Sequence, residues 1–169
     1  MLKLLEALPL ILFVFLARRM DAGDPMAWQW PFMAGGVAGF GVLVLFLWKK
    51  EIFNRLFLGI HIYLILGGLG FAAEQWWFTQ FYGALGPAGM LLAMLFTGGV
   101  ATLVSPLGFT GLDLTAHDQR RYSLGLLGAT ILAFGLSLGF KENLVLSQVI
   151  PFMGLFLVLG QLRRRALAT

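Results

Sequence analysis

"LFLGIHIYLILGGLGFAA", residues 56–73, is eighteen residues long, has no Asp, Glu, Lys or Arg, and carries one imidazole, His61. As a helix rising about 1.5 Å per residue it would extend roughly 27 Å, close to the roughly 30 Å hydrocarbon core of a bilayer. The rest of the chain has the same character. Soluble domains average about 25% charged residues, whereas this chain is 12% charged and 59% hydrophobic, with a mean hydropathy of +0.86. The expected fold is an all-α polytopic membrane protein.

Four further runs have spanning length: Pro31–Trp48, Ala84–Val104, Tyr122–Phe140 and Leu144–Leu162. A shorter first segment, residues 4–17, would reach about 21 Å as a helix. It spans if the bilayer thins locally, or if Lys3, Glu6, Arg18 and Arg19 snorkel from its two ends. It is not read as a cleaved leader, because Phe15 stands where an A-x-A-like site needs a small residue. Residues 1–169 are therefore expected to form a single bundle of six transmembrane helices with no separate soluble domain. Six spans put nine of the twelve Lys and Arg residues on the side of both termini and only Arg18, Arg19 and Lys141 opposite. The positive-inside rule then makes both termini cytoplasmic. Basic residues at span ends explain the net charge of +4 without nucleic acid, which is not an expected partner.

Trp28, Trp30, Trp48, Trp76 and Trp77 fall at span ends, as an aromatic belt requires. "EQWWFTQFYG", residues 74–83, is expected to lie along the outer interface. Glycine is abundant at 22 residues. Gly35 with Gly39, and Gly135 with Gly139, form G-x-x-x-G pairs that let a neighbouring helix backbone approach, within the bundle or in another chain. In "SQVIP", Pro151 withholds an N–H from the carbonyl of Ser147, so this helix should be distorted there, with the Ser147 hydroxyl and Gln148 amide nearby.

The chemistry of catalysis is sparse. All eight carboxylates fall at or near span boundaries, which removes the usual proton-relay or cation-site pattern. No serine has a histidine and a carboxylate at recognisable spacing, so no catalytic residue is assigned. The absence of cysteine excludes thiolate sites. In "SPLGFTGLDLTAHDQRRYS", residues 105–123, Asp113 and His117 share a helical spacing but supply at most two metal ligands, and neither metal nor cofactor is expected. Thr115 and Asp118 have the spacing of a capping box, which would start the fifth helix and set Arg120 and Arg121 at the anionic leaflet.

Asn54, His61, Gly68 and Gln75 are seven apart and form one slowly drifting stripe. A histidine on such a stripe faces the bundle interior or a partner, because an intramembrane ionisable residue usually finds one. It can be a neutral structural imidazole, a pH-sensitive or ligand-contacting group, or a snorkelling side chain. His61, Asn54, Gln75, Ser147 and Gln148 are thus the candidate polar interior.

"LLEALPLILFVF", residues 4–15, followed by closely spaced spans and a short basic tail, resembles the bacterial intracellular septation protein A family. Leu8, Pro9 and the run to Phe15 carry the resemblance, with "GGLGF" at 67–71 a looser echo. It implies a multi-pass protein of the bacterial inner membrane linked to division and envelope synthesis, and it supplies no site residues. The expected function is a non-enzymatic scaffold or assembly factor, with membrane lipids, other membrane chains or a second copy as partners. The alternative is a small-solute transporter or channel module, such as the substrate-binding subunit of a vitamin uptake system. A lipid-modifying enzyme is a third class.

Overall fold

The computed structural model describes residues 2–20, 24–143 and 145–166; Asp21 and Leu144, the expected start of the last span, lie outside them. Every described element is helical: α1 (Leu2–Leu5), α2 (Leu8–Ala17), α3 (Gln29–Lys49), α4 (Arg55–Ala72), α5 (Trp76–Leu85), α6 (Pro87–Val104), α7 (Ala116–Gly139) and α8 (Ile150–Ala166). A 3₁₀ turn at Pro25–Trp28 leads into α3, and a π turn at Val145–Val149 leads into α8.

Among the described residues, five helices are long and apolar enough to cross a membrane: Met26–Lys49, Arg55–Ala72, Pro87–Val104, Ala116–Gly139 and Val145–Ala166. The first segment falls short of that length. It breaks at Glu6 and Ala7, and α2 has only 10 residues, about 15 Å of helix. Glu6, expected to snorkel, is buried at the break. Residues 84 and 85 end the short helix α5 and do not belong to the following span, because Gly86 and Pro87 restart the chain as α6.

α7 starts six residues earlier than its apolar run. Thr115 caps it, its Oγ1 accepting the Asp118 N–H at 3.3 Å and donating to the Asp118 carboxylate at 2.8 Å. The polar turn that hydropathy leaves out is thus held helical by its cap. Thr115→Ala should cost about 1 kcal/mol, measured by thermal unfolding in detergent followed by circular dichroism.

The chain divides into two compact units, one of residues up to Phe53 with Ile60–Leu85, the other of Asn54–Gly59 with Gly86 onward. In the first unit α3 and α4 run antiparallel in close contact. A Cβ on Gly36 would lie 2.9 Å from the carbonyl oxygen of Leu64, and one on Gly68 would lie 2.9 Å from that of Phe32. Glycine on both helices permits this approach, and dispersion between the backbones rewards it in lipid. Gly67 and Gly70 leave room for the rings of Phe32 and Phe78. Phe32 is the hub, with ring centroids 4.9 Å from Phe13, 5.6 Å from Tyr63, 5.7 Å from Phe71 and 5.9 Å from Tyr82.

In the second unit the start of α4 meets α6 even more closely, a Cβ on Gly59 falling 2.6 Å from Cα of Met94. α7 buries Ser123, Leu126, Thr130, Ala133 and Ser137, a 3-4 repeat of mostly small residues that suits close helix packing. Thr130 satisfies its hydroxyl by donating to the carbonyl of Leu126 at 2.9 Å. The distortion expected before Pro151 takes the form of the π turn: with no N–H at Pro151 to bond back, the preceding turn widens.

Candidate functional site

The stripe on α4 resolves into separate environments. His61 is fully buried, its ring edge-on to Phe53 with centroids 4.9 Å apart at 84°. A Cβ on Gly39 would lie 3.4 Å from Cδ2 of His61, so this imidazole and Gly68 both face α3. Asn54 lies one residue before α4, its Oδ1 accepting the Leu56 N–H at 3.1 Å. Gln75 lies beyond the helix, exposed, with its Nε2 donating to the carbonyl of Ala73 at 3.2 Å and its Oε1 accepting from Trp77 at 3.1 Å. The two ends of the stripe are therefore occupied locally, and its middle is packing against aromatic and glycine surface.

Ser147 is buried in the π turn and Gln148 beside it is half-buried. The Ser147 hydroxyl has no hydrogen-bond partner among the described residues. Of the two G-x-x-x-G pairs, Gly35 and Gly39 are buried, Gly35 against Phe13 and Leu64, and Gly39 against His61. Gly135 and Gly139 differ: both are exposed, and a Cβ at either would meet nothing within 4 Å among the described residues. They continue a second 3-4 repeat on α7, Gly125, Gly128, Leu132, Gly135 and Gly139, offset by two residues from the buried one and so on the opposite face of the helix. Every glycine in this stripe has open space where a side chain would be.

A groove of about 270 Å³ opens in the first unit beside Met26, Gln29, Met33, Glu74, Trp76 and Thr79. α5 borders it, forming a helix over most of the stretch 74–83. It buries Tyr82, whose ring stacks on Tyr63 at 4.6 Å, and exposes Trp76, Trp77 and Phe81. Burial pushes the Tyr82 phenol up to about 12, so it stays protonated and donates to the Tyr63 carbonyl at 3.3 Å.

The most constructed polar arrangement lies in the segment between α6 and α7, which the sequence presents as an ordinary polar loop. Gly108, Phe109 and Thr110 are buried. Phe109 fills the space left by Gly98 on α6, and its N–H donates to Ser123 Oγ at 2.9 Å. Gln119 Nε2 donates to the carbonyl of Ser105 at 3.2 Å. This folded loop receives two arginines from the ends of two long helices. Arg55 Nη2 donates to Ser105 Oγ at 2.6 Å, and Arg163 Nη2 donates to the carbonyl of Thr110 at 3.0 Å.

Gly111, with φ of +71°, sits between them: a Cβ there would lie 3.1 Å from Arg55 Nη1 and 3.8 Å from Arg163 Nη2. The two guanidinium groups act on one another electrostatically, and each is held in place by its own hydrogen bond to the loop. The first residue of α4 and the last turn of α8 thereby meet the same loop. One legible signal was the pair of glycines around "FT" in "GFTG"; nothing in "RRR" separates Arg163 from Arg164 and Arg165, which are exposed. His117 and Asp118 form an exposed pair at 3.6 Å, and no three metal-ligating side chains converge among the described residues.

Comparison of the chain with family models, with curated proteins and with solved structures finds no match.

Proposed function

We propose that the protein is a non-enzymatic scaffold or assembly factor of the bacterial inner membrane, acting through contacts between transmembrane helices. The observation that carries this reading is the outer face of α7. Four glycines and Leu132 form a regular stripe that packs against nothing in the chain's own described residues. An exposed glycine weakens a helix by about 1 kcal/mol relative to alanine, so four on one face are a standing cost without a close-packed partner. The packed surroundings of His61 favour this reading over passage of a substrate. The partner to test first is a second copy of the chain, since a 3-4 glycine repeat can pack on its own symmetry mate.

The proposed topology has six membrane-embedded segments and cytoplasmic termini. α1, the break at Glu6 and Ala7, and α2 together extend at most about 24 Å and would cross a locally thinned bilayer. The basic residues Lys49, Lys50, Arg55, Arg120, Arg121 and Arg163 to Arg165 lie on the cytoplasmic side whether or not the first segment crosses. The resemblance of residues 4–15 to the septation protein A family would place the assembly in envelope synthesis or division.

Gly135→Leu and Gly139→Leu should each reduce self-association in lipid vesicles by about tenfold, which corresponds to about 1.4 kcal/mol, read by energy transfer between labelled copies. The monomer's helix content should be unchanged because both positions face open space. A wild-type chain that stays monomeric across a broad range of protein-to-lipid ratios would remove this reading.

A further inference from the structure

We propose that the groove between the start of α3, the last turn of α4 and the start of α5 binds an ammonium group, carried by a phospholipid headgroup or by a small free amine. The inference is independent of the helix-contact reading above, because the groove belongs to the first unit and α7 to the second. Its volume of about 270 Å³ lies just under the roughly 300 Å³ at which pockets for drug-sized ligands begin. The space therefore suits a headgroup or a small amine.

The lining sets the sign of the ligand. Glu74 is the one ionisable side chain among the described lining residues. It is exposed and has no ion pair or side-chain hydrogen bond among the described residues, so its charge is open to a ligand. Trp76 lines the same groove and is 49% exposed; an indole face is the strongest side-chain partner for an organic cation. Met26 and Met33 add polarizable thioethers. The Gln29 amide, also without a hydrogen-bond partner among the described residues, supplies a further acceptor.

A carboxylate, an aromatic ring and an amide oxygen, with no Lys, Arg or His beside them, favour an ammonium group and offer an anion no charged donor. The helix ends nearly cancel: the last turn of α4 contributes partial negative charge, and the first turns of α3 and α5 contribute partial positive charge. The full charge of Glu74 then decides the balance. Met26 opens one candidate span and Ala72 closes another, so the groove lies at the ends of two apolar helices, where headgroups begin. Trp77 and Phe81 on α5 are 69% and 52% exposed, an apolar surface for acyl chains beside a bound headgroup.

The test uses the full-length chain in nonionic, phospholipid-free detergent with three probes: phosphatidylethanolamine, phosphatidylglycerol with the same chains, and ethanolamine. Binding is read by native mass spectrometry for the lipids and by thermal shift for all three. Phosphatidylethanolamine should bind about fivefold more tightly than phosphatidylglycerol, as one exposed ion pair allows. Glu74→Gln should remove that preference, whereas Glu51→Gln, an exposed carboxylate at the far end of α3, should leave it within about twofold. Trp76→Leu should weaken binding of the amine by about threefold, and Trp77→Leu, outside the groove lining, by less.

Ethanolamine binding as tightly as its lipid, with the same dependence on Glu74, would assign the site to free amines; much weaker binding assigns it to the headgroup. Salt supplies a measurement that needs no variant, since an exposed ion pair is screened and amine binding should weaken as ionic strength rises. Equal binding of the two lipids with no binding of ethanolamine would overturn the site. So would a loss in Glu74→Gln no larger than that in Glu51→Gln, or amine binding that is independent of salt.

Discussion

Phe109→Ala is expected to lower stability by about 4 kcal/mol. Phe109 is 1% exposed, although it belongs to a connection between helices. Its ring occupies the space left by Gly98, and its N–H is held by Ser123. Alanine would leave a cavity lined by α6 and by the loop's own backbone, and the loop cannot collapse into it without giving up the Ser123 hydrogen bond. Reversible unfolding in mixed micelles, followed by circular dichroism, measures the change. Leu103→Ala, at an exposed position on the same helix end, is the matched control and should stay within about 0.5 kcal/mol. A Phe109→Ala loss as small as the control's would mean that the loop does not pack as described.

Gly59→Ala should also destabilise, by about 2 kcal/mol net, and here the sign is the informative part. One added methyl would sit 2.6 Å from Cα and 2.9 Å from N of Met94. Backbone cannot rotate away as a side chain would, so α4 and α6 must separate. Such overpacking costs about 3 kcal/mol, against about 1 kcal/mol gained in helix propensity. The same substitution at Gly135 meets open space and should stabilise the monomer by up to about 1 kcal/mol. Opposite signs for one chemical change follow from what the new methyl touches, and thermal unfolding of both variants in the same detergent reads the difference. Equal shifts would contradict the close approach of α4 and α6.

The length and composition of the apolar runs made the five long helices legible, because crossing a bilayer imposes about twenty apolar residues whatever the function. Their ends were less so. Hydropathy cannot see that Thr115 holds the polar turn at 116–121 in a helix, or that Gly86 and Pro87 separate α5 from α6. The short first segment met a limit of the same kind: its apolar residues continue across Glu6 and Ala7, while the helix does not.

Glycine spacing identified faces without saying which were already filled. Gly35 with Gly39 and Gly135 with Gly139 have the same pattern, yet one pair is covered by Phe13, Leu64 and His61 and the other is bare. That distinction depends on residues distant in sequence. So does the pairing of Arg55 with Arg163, which lie 108 positions apart in the numbering and meet through a loop that folds inward on Phe109. Of the stripe through His61, only His61 and Gly68 lie on α4, with Asn54 before it and Gln75 beyond it; what the imidazole faces depends on α3, whose Gly39 gives it its place.

The central claim is that the outer glycine face of α7 is where the chain assembles, and the natural absence of cysteine makes a direct measurement straightforward. Single cysteines replace Gly128, Gly135 or Gly139 on that face, and Phe40 on the exposed side of α3 as a control, in otherwise wild-type protein reconstituted in vesicles. Oxidation should trap dimers at the three α7 positions and leave the Phe40→Cys chain monomeric. Equal cross-linking at Phe40→Cys, or none at any α7 position under conditions where the protein self-associates, would contradict assembly through this face.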